Sequence, residues 1–159
     1  MKFSNRLFTI SSVFLFLAWL AKMQFIFGGD YLFRIATIGI LISILIRLIF
    51  SSKEPELKLN QVRKFFIINH ICLFVLYAGM MLKVAHIMNT QIEKDILLDF
   101  IGIPAILISV LYSFSRVEML LQAAKSIRIL FMKQILLPWV LFIFSFLFYA
   151  AYSVILTRG

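Results

Sequence analysis

Acid is scarce in this chain. Asp and Glu number 7 among 159 residues, against 16 Lys and Arg, for a net charge of +9. Cysteine is scarcer: Cys72 stands alone in an apolar run, which excludes an internal disulfide and a cysteine-based metal cluster. It reads as a small core residue. No His/Cys/carboxylate set has metal-ligand spacing. No glycine-rich phosphate loop occurs, and no Ser or Cys nucleophile has a convincing base. These absences point away from an enzyme and call for no cofactor or metal. Charged residues of both signs make up only 14%, where a soluble domain has about a quarter.

What remains is apolar. The chain is 63% hydrophobic with 18 Phe, and its mean hydropathy is +1.03. So small a globule cannot bury that excess, so it must face lipid. A helix needs ~20 mostly apolar residues to span the hydrocarbon. Five stretches qualify: residues 7–27, 31–50, 65–88, 96–115 and 134–157. They must be helical, because open strand edges stay unsatisfied in lipid. The expected fold is therefore an all-α polytopic membrane bundle of about five helices in one integral domain. The N-terminus looks signal-like, with Lys2 and Arg6 before the run, but no small-x-small cleavage pattern follows, so it reads as a retained first helix.

The basic residues lie between the apolar runs and not on one polar face, which argues against nucleic acid. Lys2, Arg6, Arg47, Lys53, Lys58, Arg63, Lys64, Arg116, Lys125, Arg128 and Lys133 fall on one side of the bilayer, leaving 5 of the 16 on the other. The richer side should be cytoplasmic. That places the N-terminus inside and the C-terminus in the periplasm of a bacterial inner membrane. The link 116–133 is amphipathic: Val117, Leu120, Leu121, Ala124, Ile127 and Phe131 share one helical face. It either lies on the membrane surface or extends helix four. Pro138 suits the first turn of helix five, and Pro104 should kink helix four.

The chain also repeats itself. "ILISIL" at 40–45 returns as "ILISVL" at 106–111, each copy after a lysine-bearing hairpin (Lys22, then Lys83) and a glycine (Gly39, then Gly102). This suggests two tandem helical hairpins plus a C-terminal helix. The first hairpin, Lys22-x-x-Phe25-x-Phe27-Gly28-Gly29-Asp30, resembles that of GldL-type gliding-motility and type 9 secretion motor proteins, which typically read Lys-x-x-His-x-Pro-Gly-Ala-Asp. The exit Ser51-Ser52-Lys53-Glu54-Pro55 is similar to the family's Ser-Ala-Phe-Glu-Pro exit, and Lys83-x-x-His86 keeps its lysine–histidine pair. The resemblance covers residues 5–55, and 66–115 less closely. It would imply a proton-driven motor unit. The chain departs from it where the family's second helix carries a membrane-embedded glutamate, since no acid lies between Asp30 and Glu54. Phe25 replaces the histidine, and the family's long cytoplasmic tail is missing.

Two groups of charges stand out. Lys22, Asp30 and Arg34 surround the Gly28-Gly29 turn. The glycines permit a sharp reversal, Lys22 can snorkel to the headgroups, and Asp30 and Arg34 are spaced as an i,i+4 pair. This group reads as a paired anchor or as part of an ion or partner site. Lys83, His86 and Asp99 form the second group, either a structural ion pair or a proton or ligand site. His70 is a hydrogen-bonded packing residue or a titrating switch. Ala78-Gly79 and Ala150-Ala151 are sites of close helix approach. The function expected is a non-enzymatic accessory or scaffold subunit that meets other membrane proteins or its own copies. A proton- or ion-conducting unit and a small carrier are the alternatives.

Overall fold

The computed structural model describes residues 2–24, 28–50, 60–84, 102–122 and 125–158. Among them every element is helical. The helices are α1 (Lys2–Met23), α2 (Gly29–Phe50), α3 (Asn60–Val84), α4 (Ile103–Phe114), α5 (Val117–Gln122), α6 (Lys125–Phe131) and α7 (Leu137–Arg158). A π-helical stretch, Met132–Leu136, joins α6 to α7 without a break. Four helical runs are long and apolar enough to cross a membrane: Phe3–Met23, Gly29–Phe50, Gln61–Leu82 and Lys125–Tyr152.

Helix α3 is the hub. It packs against α2, α4 and α7, while α1 closes the ring between α2 and α7. Half of its spanning window is buried inside the bundle, against 22% for the final run. The main core is aromatic and aliphatic, built on Phe8, Leu15, Trp19, Phe33, Ile40, Leu73 and Tyr77. Trp19 meets Phe33 edge-on at 5.3 Å and stacks on Phe148 at 6.1 Å. A smaller cluster of Val62, Phe65, Phe66 and Ile135 fills the end of the bundle that holds the start of α3.

The polarity of the bundle is inverted relative to a soluble protein. Ser4, Ser11, Lys22, Thr37, Ser43, Arg47, Asn69, His70, Ser109, Gln134 and Ser145 are all at most 5% exposed. Ile10, Phe14, Ile35, Leu111, Phe114 and Leu147 point outward and lie between 43% and 73% exposed. Water would reverse that arrangement. Lipid does not, because hydrocarbon outside is no worse for Leu than hydrocarbon inside. With its four long apolar runs, this chain is a small multi-span membrane protein.

Several boundaries differ from the sequence reading. α1 begins at Lys2 and not at residue 7, and α3 begins at Asn60 and not at residue 65. The chain turns at Ser115-Arg116, so the link 116–133 is not a plain extension of α4, and α6 runs directly into the last span; residues 123 and 124, between α5 and α6, lie outside the described residues. Ile127 and Phe131 do pack inward, against the Phe65 cluster. Pro138 lies well inside that helical run, although it occupies the second position of α7 itself. Pro104 stands in the first turn of α4 as described. The turns upstream, where a kink would be measured, lie outside the described residues.

Candidate functional site

The α1–α2 hairpin carries the first polar site. Gly28 has φ +93, a left-handed conformation that costs glycine nothing. A Cβ at Gly29 would lie 3.1 Å from Lys22 Cγ and 3.2 Å from its backbone N, so the absence of a side chain there lets Lys22 lie against the turn. Lys22 Nζ forms an ion pair with Asp30 Oδ1 and sits 5.3 Å from the centre of the Tyr152 ring. The lysine side chain is only 4% exposed, against 52% for the aspartate. Lys22 therefore does not snorkel outward. Its ammonium turns inward to the pair and to an aromatic face. Asp30 stands in the first turn of α2 and Lys22 in the last turn of α1, each at the helix end that favours its charge. Arg34 lies 5.9 Å from the centre of the Tyr31 ring.

The second site centres on Arg47, at the opposite end of the bundle. Its side chain is almost fully buried. Nε donates to Ser4 Oγ at 3.1 Å and Nη2 to Asn5 Oδ1 at 3.2 Å. Nη1 makes a long contact of 3.5 Å with the backbone carbonyl of Gln134. The guanidinium lies 4.7 Å from the centre of the Phe8 ring. Ser4 and Ser43 bond reciprocally, each hydroxyl donating to the other's carbonyl at 3.1 and 3.0 Å. The Gln134 contact has a local cause. In an α-helix the N–H of residue 138 would bond the carbonyl of residue 134, but Pro138 has none. The widened π turn of residues 132–136 makes room for the proline ring, and such turns recur at functional sites. The carbonyl of Pro138 itself accepts the Tyr77 hydroxyl at 2.8 Å.

The third site joins α3 to α4. Asn69 Nδ2 donates to Phe65 O at 3.0 Å, and Oδ1 accepts from Ser109 Oγ at 2.6 Å and Ser113 Oγ at 3.3 Å. Beside it, His70 Nδ1 lies 2.6 Å from Phe66 O, and its buried Nε2 meets no protein partner. Ser109 and Ser113 also floor an open groove of about 220 Å³ whose walls are Val110, Phe114, Phe131, Ile135, Leu136 and Trp139.

Of the residues singled out from sequence, the structure brings together Lys22, Gly28, Gly29 and Asp30. His86 and Asp99 lie outside the described residues. Lys83 is described only as part of α3, so the second charge cluster has no geometry to report. Sequence reasoning missed Arg47, Asn69 and the two α4 serines as interior groups. A signal existed for the last three: an amide in an apolar run, and serines spaced i,i+4, are the residue types that bond across membrane helices. The repeat gains geometric content as well. Ser43 and Ser109 hold the same place in the two six-residue copies, and each bonds back to the preceding helix, Ser43 to α1 and Ser109 to α3. Among the described residues no three His, Cys, Asp or Glu side chains group as a metal site would. No known protein family matches the chain, and neither curated proteins nor solved structures give a match.

Proposed function

We propose that this multi-span protein is a non-enzymatic accessory or scaffold subunit of a complex in the bacterial inner membrane. One observation supports this above the rest: the interior polar groups tie the chain's own helices together. Lys22 joins α1 to α2, Arg47 joins α1, α2 and the final run, and Asn69 joins α3 to α4. A carrier instead directs such groups into a midplane cavity between broken helices. Purification in mild detergent tests the reading. A stoichiometric integral-membrane partner should copurify, and its abundance should fall when this chain is deleted. A partner-free protein that moves a solute into proteoliposomes would sink it.

The orientation proposed puts the basic end in the cytoplasm, with the N-terminus inside and the C-terminus in the periplasm, on the 11 basic residues gathered there. In a Cys72→Ser background, Asn89→Cys should react with an impermeant thiol reagent on spheroplasts and Lys58→Cys should not. Reversed labelling would invert the topology. The proton-conducting alternative draws on the resemblance of residues 22–30 to the GldL-type hairpin. The observation in its favour is the Lys22–Asp30 pair with its buried lysine, since ionisable groups inside a membrane often serve an ion path.

A further inference from the structure

The groove between α4 and the final helical run has a specific shape and charge. Its floor is made by Ser109 and Ser113, whose hydroxyls turn inward to Asn69. What faces outward is therefore apolar, walled by Phe114, Phe131, Leu136 and Trp139. Both walls carry an arginine one turn beyond their apolar part. On the α4 side Arg116 follows Ser113 by three residues, and its guanidinium lies 5.8 Å from the centre of the Tyr112 ring. On the other side Arg128 precedes Phe131 by three residues and is exposed. Phe65 contacts both Tyr112 and Phe131, at 6.1 and 5.8 Å, so the two arginine-bearing ends meet at the same end of the bundle. That end also carries Arg6, Arg63 and Lys64.

The geometry points to a binding site for one anionic phospholipid, with an acyl chain in the groove and the headgroup phosphate held between Arg116 and Arg128. The groove lies on the flank of a span, where hydrocarbon is the surrounding solvent. Small serines between bulky aromatics make an open furrow, not a closed socket for a compact solute. Arginine suits the headgroup because its planar fork meets phosphate in two parallel bonds. Basic pockets between membrane helices on the cytoplasmic side are a known setting for anionic headgroups. A lipid held there would bridge α4 to the final span, both of which pack against α3.

The test uses the full-length protein in mild detergent, with phosphatidylglycerol and phosphatidylcholine of matched chains as probes. Native mass spectrometry should show one phosphatidylglycerol retained per chain and at least fivefold less phosphatidylcholine. Arg116→Gln with Arg128→Gln should reduce that retention at least fivefold. Val110→Trp with Leu136→Trp should do the same by filling the furrow. Lys64→Gln, at the same end but off the groove, should leave retention unchanged. Equal retention of the two lipids, or an equal loss in Lys64→Gln, would reduce the site to general annular lipid and overturn the proposal. So would a disulfide-linked dimer of Val110→Cys in the Cys72→Ser background, because a second copy would then occupy the groove. Should the tryptophan variants fail to fold, the native protein decides alone. Phosphatidylglycerol must raise its melting temperature where phosphatidylcholine and inorganic phosphate do not.

Discussion

Removing Lys22 and removing Asp30 are not symmetric changes, because the two ends of the pair meet different surroundings. The lysine side chain is 4% exposed and the aspartate 52%. Asp30→Asn removes the counter-charge of a buried ammonium and leaves it an amide oxygen and the face of Tyr152, and breaking a buried pair can cost ~3–5 kcal/mol. Water reaching Asp30 lowers that, so about 2 kcal/mol is expected. Lys22→Met leaves a carboxylate that water solvates and should cost less, about 1 kcal/mol or under. Melting in detergent checks the order, and Lys22→Met proving the more damaging would contradict it. The double variant should lose less than the two singles together, because they share one interaction. A second residue-scale prediction concerns Gly39. A Cβ there would clash with Ser11 Oγ and lie 3.1 Å from Ser11 Cβ. Gly39→Ala should therefore destabilise by ~1–3 kcal/mol, as overpacking does. Ser11→Gly should restore part of the loss in the double variant, and strict additivity would show that the helices separate instead. The first of these sites was partly legible in the sequence; the Gly39–Ser11 contact was not. Lys22 and Asp30 are eight residues apart across a turn, close enough for local rules to join them. The direction of Lys22 was not legible, because the ring that draws it inward comes from Tyr152 on the last helix.

Helices in a bilayer gain little from hiding apolar surface from one another, so their mutual arrangement rests on packing and on a few polar ties. Arg47 shows why such ties escape a sequence reading. Its partners Asn5, Ser4 and Gln134 are 42, 43 and 87 residues away, and no local pattern links them. The same holds for the final run. The sequence placed a helix start at Gln134, where the uncharged run after Lys133 begins, and that put Pro138 in a first turn. The real run begins at Lys125, since the π turn before Pro138 accommodates the ring that would otherwise end or kink the helix. The existence of the spans was legible because it needs only length and composition. Arg47 also allows an element-scale test of charge against volume. A buried ion replaced by an apolar side chain of similar size is often tolerated, because desolvation offsets most of what its bonds contribute. Arg47→Met should stay within about 1.5 kcal/mol of the native protein. Arg47→Ala opens a cavity between three elements and should lose ~3 kcal/mol or more. If methionine proves as harmful as alanine in thermal melts, the hydrogen bonds to Ser4 and Asn5 carry the junction and filling the space does not.

At the scale of the molecule, the buried charged and ionisable groups are divided between the two ends of the bundle. Lys22, paired with the exposed Asp30, occupies the hairpin end, while Arg47 and His70 lie toward the basic end. Protons cross hydrocarbon only along titratable groups or water, because an isolated charge there is costly. On the central helix, His70 and Tyr77 are seven residues apart, ~10 Å at 1.5 Å per residue, which is too far for direct transfer. The interior between them is set by Leu73 and Leu76, both at most 4% exposed. Tyr77 donates its hydroxyl hydrogen bond to the Pro138 carbonyl, an acceptor that does not take up a proton. Above Tyr77 the core is closed by Trp19 and Phe33, in contact at 5.3 Å. Among the described residues the two polar ends are thus separated mainly by packed aromatic and aliphatic side chains, and the buried Ser11 and Thr37 hydroxyls between them are not titratable groups. The protein by itself should therefore not conduct protons. In proteoliposomes with an internal pH dye and an imposed potential, influx should match that of empty vesicles. Flux well above that background, abolished by Asp30→Asn or by Asp99→Asn, would mean that water threads the interior, and it would move the motor-like reading ahead of the scaffold one.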